Sequence, residues 1–178
     1  MDNKELIFLV EDNPIFATTA QKSLEKDLGF EVKVFNTGEQ LIDFIAVNPE
    51  IVPSIVILDY YLNSMVAEAM SGEMILAKLK DPMIRNNPFR KIPVIMLSAA
   101  DELSIAVNLL KKGATDYILK DEVFFENLKK TIGNIINLRN YQSEIQFHKS
   151  KAEGYRKRLI LMSAIIIGLL GLVFYLFA

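Results

Sequence analysis

Ser54-Ile55-Val56-Ile57-Leu58-Asp59 is an unbroken apolar run, rich in β-branched residues, that ends abruptly in a carboxylate. Such a run reads as a strand buried on both faces, the pattern of a parallel sheet covered by helices. Ligands bind open α/β sheets in the crevice at the carboxyl ends of the strands, so Asp59 stands where a reactive group would be presented. Three other apolar runs end in polar residues in the same way: Leu6 to Val10 in Glu11-Asp12, Ile92 to Leu97 in Ser98, and Tyr117-Ile118-Leu119 in Lys120. If the strands are parallel, three acids, a hydroxyl and an ammonium meet on one edge. That set suits a divalent cation and a phosphoryl group.

Working outward, strand and helix signals alternate through residue 138, as repeated βα units would. Asn13-Pro14 supplies an N-cap and a proline at the first helical position, and the helix it opens runs to about Leu28, where Gly29 ends it. Glu31 to Phe35 alternates polar and apolar residues, which predicts a half-exposed edge strand. Thr37 and Gln40 form a capping box ahead of the next helix. Leu62 to Ser71 is a loop, Gly72 to Lys80 a helix, and Asp81 to Lys91 a surface connection rich in proline and asparagine. Asp101 to Lys112 predicts a helix stopped by Gly113, and a last helix begins near Asp121 with no clean stop after it.

The 178 residues suffice for one ordinary domain plus an appendage. A formal charge of -2 gives no basic field, so nucleic acid is not an expected partner. The chain has no cysteine, which excludes disulfides, thiolate metal sites and a thiol nucleophile. Its amino terminus lacks the layout of a signal peptide. Leu159 to Ala178 carries no charge and is long enough, as a helix, to cross the roughly 30 Å hydrocarbon core, which predicts a transmembrane anchor. Five basic residues against one acid in Lys149 to Arg158 would then hold the preceding bulk, with a net charge of -6 over residues 1–148, in the cytoplasm. Between them Leu138, Tyr141, Ile145, His148, Ala152, Tyr155 and Leu159 repeat at spacings of three and four, the seam of a coiled coil.

The chemistry of the strand ends is coherent. Glu11 and Asp12 repel one another unless a cation or an ammonium offsets them. Oxygen donors suit Mg²⁺, which takes one or two protein carboxylates beside a phosphate oxygen, and Asp59 would be the third acid. A carboxylate beside a metal can also attack phosphorus and form an acyl phosphate. Ser98 can donate to a phosphoryl oxygen, and Lys120 can meet the same group or balance the acids in its absence. Taken singly, these residues are a solvated turn, a loop acid, a cap and a surface lysine. It is their recurrence at four strand ends that argues for a site.

Glu11-Asp12, Asp59 after a hydrophobic strand, Ser98-Ala99 after Ile-Pro-Val-Ile-Met-Leu, and Gly113-Ala-Thr-Asp-Tyr-Ile-Leu-Lys120 resemble the receiver domain of two-component response regulators over residues 4–138. The resemblance implies a flavodoxin-like (βα)₅ doubly wound fold with strand order 2-1-3-4-5. It implies Asp59 as the residue phosphorylated from a histidine kinase or phosphotransfer protein, and Mg²⁺ held by Asp12, Asp59 and the backbone carbonyl of Tyr61, with Glu11 acting largely through water. Ser98 and Lys120 match the residues that receive the phosphoryl oxygens, and Tyr117 the aromatic switch. The sequence departs from the family where Asn63 replaces a proline after the acceptor, where Gly72 arrives late, and where Asp121 replaces the proline after the lysine. The family's usual output domain is not expected after it.

The sequence thus predicts a receiver domain over 1–138, a helical juxtamembrane stalk over 139–158 and a transmembrane anchor over 159–178. The expected role is that of a membrane-tethered, single-domain, non-enzymatic response regulator of the cell membrane, phosphorylated on Asp59 and signalling through a protein partner or a homodimer. Two other classes compete with it. A receiver-fold scaffold would work without phosphorylation. A Mg²⁺-dependent phosphatase with an aspartate nucleophile would want an acid two residues after it, where Tyr61 stands.

Overall fold

The computed structural model of the chain describes residues 5–62, 69–99 and 103–177, with side chains through Ser163. Five short strands, β1 (Leu6–Val10), β2 (Glu31–Phe35), β3 (Ile55–Asp59), β4 (Val94–Ser98) and β5 (Asp116–Leu119), form one sheet in the order β2-β1-β3-β4-β5. Every adjacent pair is parallel. The helices between them are α1 (Pro14–Leu28), α2 (Gly38–Val47), α3 (Gly72–Lys80) and α4 (Leu103–Lys111), and α5 (Phe124–Phe177) follows β5. This is the parallel sheet expected from the strand signals, in the flavodoxin-like order that the family resemblance implies, with a long carboxyl-terminal helix after it.

Burial explains the strand sequences. Ile55, Val56, Ile57 and Leu58 of β3 are fully buried, as are Ile7 to Val10 and Val94 to Leu97, because helices cover both faces of the central strands. Each such side chain contributes about 1.5–3 kcal/mol relative to exposure. β2 lies at the edge, and its Glu31 and Lys33 face solvent while Val32 and Phe35 are buried. Phe8, Phe35 and Phe44 pack edge-on and tilted with ring centroids 5.2–5.7 Å apart, tying α2 to β1 and β2.

Local signals act as the sequence suggests. The Asn13 side chain accepts from the amides of Ile15 and Phe16, with Pro14 next in the chain, and Gly29 takes a φ of 70° at the end of α1. Thr37 caps α2 through the Gln40 amide, but Gln40 reaches back to the amide of Asn36 rather than that of Thr37. Some boundaries differ from expectation, the last helix beginning at Phe124 rather than near Asp121. Pro88–Lys91 forms a short 3₁₀ helix inside the surface connection, with Asn87 accepting from the Phe89 amide and Phe89 buried. β4 begins at Val94, not Ile92, because Pro93 has no amide to give to the ladder. The described peptide bonds, Lys120–Asp121 among them, are all trans.

The chain divides into two compact units, Met1–Gly133 and Asn134–Ala178. The expected membrane span and cell-membrane location are corrected here: among the described residues no helix is long and apolar enough to cross a membrane. Among the described residues, charges recur along α5 as far as Arg158, so no stretch of them is apolar over the length of a span. About 20 apolar residues are needed to cross the hydrocarbon core. Residues 164–178 lie outside those described in side-chain detail, as do Asn63 and the Met65-Val66-Ala67 segment in the loop after Asp59.

Candidate functional site

The parallel ladder continues one residue past the strands and thereby fixes the candidate residues. The Glu11 amide donates to the Phe35 carbonyl at 3.0 Å, the Tyr60 amide to Leu97 at 2.8 Å and the Lys120 amide to Ser98 at 2.8 Å. Val10 pairs with Leu58, so Glu11 and Asp59 stand one step beyond the same rung. Asp59 pairs with Leu97, and Ser98 with Leu119. The polar ends of β1, β3, β4 and β5 are therefore set side by side.

Glu11, Asp12 and Asp59 each direct a carboxylate oxygen so that the three lie within 4.8 Å of one another. Glu11 and Asp59 are buried, Asp12 partly so. Lys120, only 15% exposed in its side chain, sits against two of them, its Nζ lying 2.7 Å from Glu11 Oε2 and 2.9 Å from Asp59 Oδ2. The second oxygen of Asp59 accepts from the Tyr61 amide at 3.4 Å, and Glu11 Oε1 accepts from the Asn13 amide at 3.3 Å. Burial pushes the Glu11 carboxyl above its ordinary range, opposed by the Lys120 hydrogen bond and reinforced by the Asp59 charge.

Ser98 is fully buried at the end of β4. Tyr117, in β5, is half-buried and packs against the core under the sheet. Tyr61 is 40% exposed, with its ring edge-on to Tyr60 at 4.7 Å.

Two neighbours complete the surroundings of Lys120 and Asp59. Phe16 of α1 lies 4.4 Å from Lys120 Nζ, which sits over its ring. Gly72 approaches the Asp59 backbone so closely that a Cβ there would lie 2.2 Å from the Asp59 carbonyl oxygen. Phe16 is not signalled by local pattern, since it depends on a contact across the fold, whereas Gly72 stands out in the sequence only as the late glycine of the family pattern, with no sign of the contact it makes. A separate apolar cleft of about 310 Å³, lined by Ile42, Ile45, Leu79, Ile84 and Phe89 among others, shares no residue with the acidic cluster.

The comparisons with known proteins agree with this geometry. The family model described as the response regulator receiver domain matches residues 7–132. The chain belongs to the receiver domain family. It is 32% identical over 117 residues to the chemotaxis protein CheY of Listeria monocytogenes, a match covering 65% of this chain and 86% of that protein. Over 133 residues it is 27% identical to the sensor histidine kinase TmoS of Ectopseudomonas mendocina, covering 75% of this chain. It spans only 12% of the length of that kinase and 9% of a Dictyostelium discoideum hybrid signal transduction histidine kinase. Among solved structures, the receiver domain of a LuxO repressor protein from Vibrio parahaemolyticus superposes with a TM-score of 0.63 at 26% identity, covering 80% of this chain and 97% of that one. Receiver domains are signalling modules that bind Mg²⁺ in an acidic pocket and interact with histidine kinases or phosphotransfer proteins.

Proposed function

We propose that this receiver domain accepts a phosphoryl group on Asp59 from a histidine kinase or phosphotransfer protein. The observation that carries this reading is the Lys120 ammonium set between Glu11 and Asp59, with Asp12 completing a three-acid cluster at one sheet edge. An ammonium drawn against two buried carboxylates marks a concentration of negative charge that a hard cation would share.

The donor set fits Mg²⁺: Asp12, Asp59 and the Tyr61 carbonyl would hold it, with Glu11 acting largely through water. The ion would neutralise phosphoryl oxygens and draw the donor toward Asp59. In the transfer itself an Asp59 carboxylate oxygen attacks phosphorus. The bond from phosphorus to the donor imidazole nitrogen breaks, and its electron pair returns to the ring. Lys120 leaves its acid partners to meet one phosphoryl oxygen, and the Ser98 hydroxyl donates to another. The strand termini hold these groups before the donor arrives, so little reorganisation is needed. Tyr117, beside them in β5, would turn inward as Ser98 moves and carry the change to the surface.

Output would run through a protein partner or through self-association of the stalk proposed for residues 139–158, following a receiver that extends to residue 138. The exposure of Leu138, Tyr141, Ile145, Tyr155 and Leu159 on α5 supports the second route.

The test is direct. The full chain is incubated with Mg²⁺ and a small phosphodonor such as acetyl phosphate, and its intact mass is measured beside Asp59→Asn. A Mg²⁺-dependent gain of one phosphoryl group, lost in Asp59→Asn, is expected. No adduct on the parent chain would overturn the reading in favour of a scaffold that works without phosphorylation.

A further inference from the structure

Three groups hold the Lys120 ammonium: Glu11, Asp59 and the ring of Phe16. The first two are acids whose partners must change when a cation and a phosphoryl group enter the site. The third carries no charge and forms no bond to either ligand. Its attraction for the ammonium comes from the negative face of an aromatic ring, and it persists when the acids are re-partnered.

The ring itself is held firmly. Phe16 lies in the first turn of α1, where the Asn13 cap and Pro14 fix the start of the helix. Its ring centroid is 5.0 Å from that of Phe124, which is 2% exposed, and 6.2 Å from that of Phe125, with which it stacks nearly parallel. Phe124 and Phe125 open α5, and their own rings pack edge-on at 5.0 Å. The face offered to Lys120 is thus braced by the first turn of α5 and cannot swing away freely. Lys120 is the fourth residue before Phe124, so one aromatic group joins α1, the lysine and the beginning of α5.

A lysine side chain has four rotatable bonds, and fixing it costs up to about 2 kcal/mol of conformational freedom. Once the carboxylates turn to other partners, a lysine without a further contact would sample many positions. We propose that Phe16 is a positioning residue that keeps the Lys120 ammonium at the mouth of the acceptor site, within reach of a phosphoryl oxygen, while the acids change partners. The inference rests on the phosphoryl-acceptor reading of Asp59. It assigns to α1 a part in the chemistry beyond its packing role.

The probe is beryllofluoride with Mg²⁺, titrated into the full chain and followed by NMR. Phe16→Leu and Phe16→Met keep apolar bulk and remove the ring face, whereas Phe16→Tyr keeps the face. The half-saturating beryllofluoride concentration should rise roughly threefold to tenfold in the first two and change by less than about twofold in the third. Affinity for Mg²⁺ alone should be the same in all, a split that a merely structural role would not give. In the parent chain the ε-methylene protons of Lys120 should lie upfield through the ring current and move back in Phe16→Leu or Phe16→Met. That signature needs no variant to be seen, so it decides even where one substitution prevents folding. Parent protons without an upfield displacement would overturn the proposal, as would equal losses of Mg²⁺ and beryllofluoride affinity. A parent chain that binds no beryllofluoride would sink the acceptor reading and this inference together. Binding that is equal in parent and Phe16→Leu would sink this inference alone.

Discussion

Gly72 has no room for a side chain. A Cβ there would lie 2.2 Å from the Asp59 carbonyl oxygen and 2.9 Å from the Tyr60 Cα, and both obstacles are backbone, which cannot rotate aside. The Gly72 amide also donates to the Tyr60 carbonyl at 3.2 Å, so the start of α3 is seated on the end of β3. Gly72→Ala should therefore push Asp59 and Tyr60 out of register with the acids beside them. We expect a loss of about 1–3 kcal/mol in stability by denaturant unfolding, together with weaker Mg²⁺ binding. An alanine variant with parental stability and parental Mg²⁺ affinity would show that this contact does not position Asp59. At this scale the sequence is legible where a residue ends a strand. Glu11, Asp12, Asp59, Ser98 and Lys120 are read from the abrupt change of an apolar run to a polar one, and the parallel register brings them together. Phe16 is not legible, because its neighbour Lys120 comes from a segment far along the chain, and Gly72 is legible as the family's late glycine but not as the residue that abuts the Asp59 backbone.

Glu39, in the first turn of α2, ties that helix to the segment leading into α3. Its carboxylate accepts from the Met70 amide at 2.7 Å, two residues before Gly72, while Met70 Cβ lies against Gly38. Its own amide and that of Met70 hold the Glu39 carboxyl below its ordinary value of 4.5. A carboxyl whose folded value is depressed adds stability that is complete above its unfolded value and is lost as pH falls through the folded one. Glu39→Ala should cost about 1 kcal/mol near neutral pH, the value of one hydrogen bond to a charged acceptor discounted for its partial exposure. The difference between parent and variant should fade below pH 4.5, as seen in urea unfolding at a series of pH values. A difference that stays constant down to the acid transition would exclude the ionised carboxylate as its source. The element boundaries follow the same division between local and distant causes. Asn13-Pro14, Gly29 and Thr37 act on their own helices and are read correctly. The 3₁₀ turn at Pro88–Lys91 needs Phe89 to find the core, and the surrounding prolines and asparagines read only as a surface connection.

The two units of the chain are stabilised by different means. Met1–Gly133 encloses a core on both faces of a five-stranded sheet, whereas in the second unit every described residue from Asn137 to Ser163 is exposed. The parallel sheet of the first unit is legible because both faces of its central strands are buried and their sequences show it, while its strand order is legible only through the family resemblance. The hydropathy of 159–178 suggested a membrane span that the described residues do not contain, since composition alone sets no surroundings for a helix. A helix in water draws most of its stability from packing an apolar face, and propensity alone leaves it marginal. The segment 139–158 also contains Gly154, which costs about 1 kcal/mol relative to alanine. Leu138, Tyr141, Ile145 and Tyr155 lie at heptad spacing and are 53–65% exposed, so a second copy of the same helix would supply the missing partner. The full chain should then sediment above the monomer mass, with a proportion that rises with concentration. Ile145→Lys places a charge on the seam without touching the acceptor site, and it should return the chain to monomer while leaving Mg²⁺-dependent phosphorylation of Asp59 intact. A parent chain that stays monomeric at all concentrations, with the amides of 139–158 still protected from hydrogen exchange, would show that this helix is stable alone. Output would then have to pass through a partner protein.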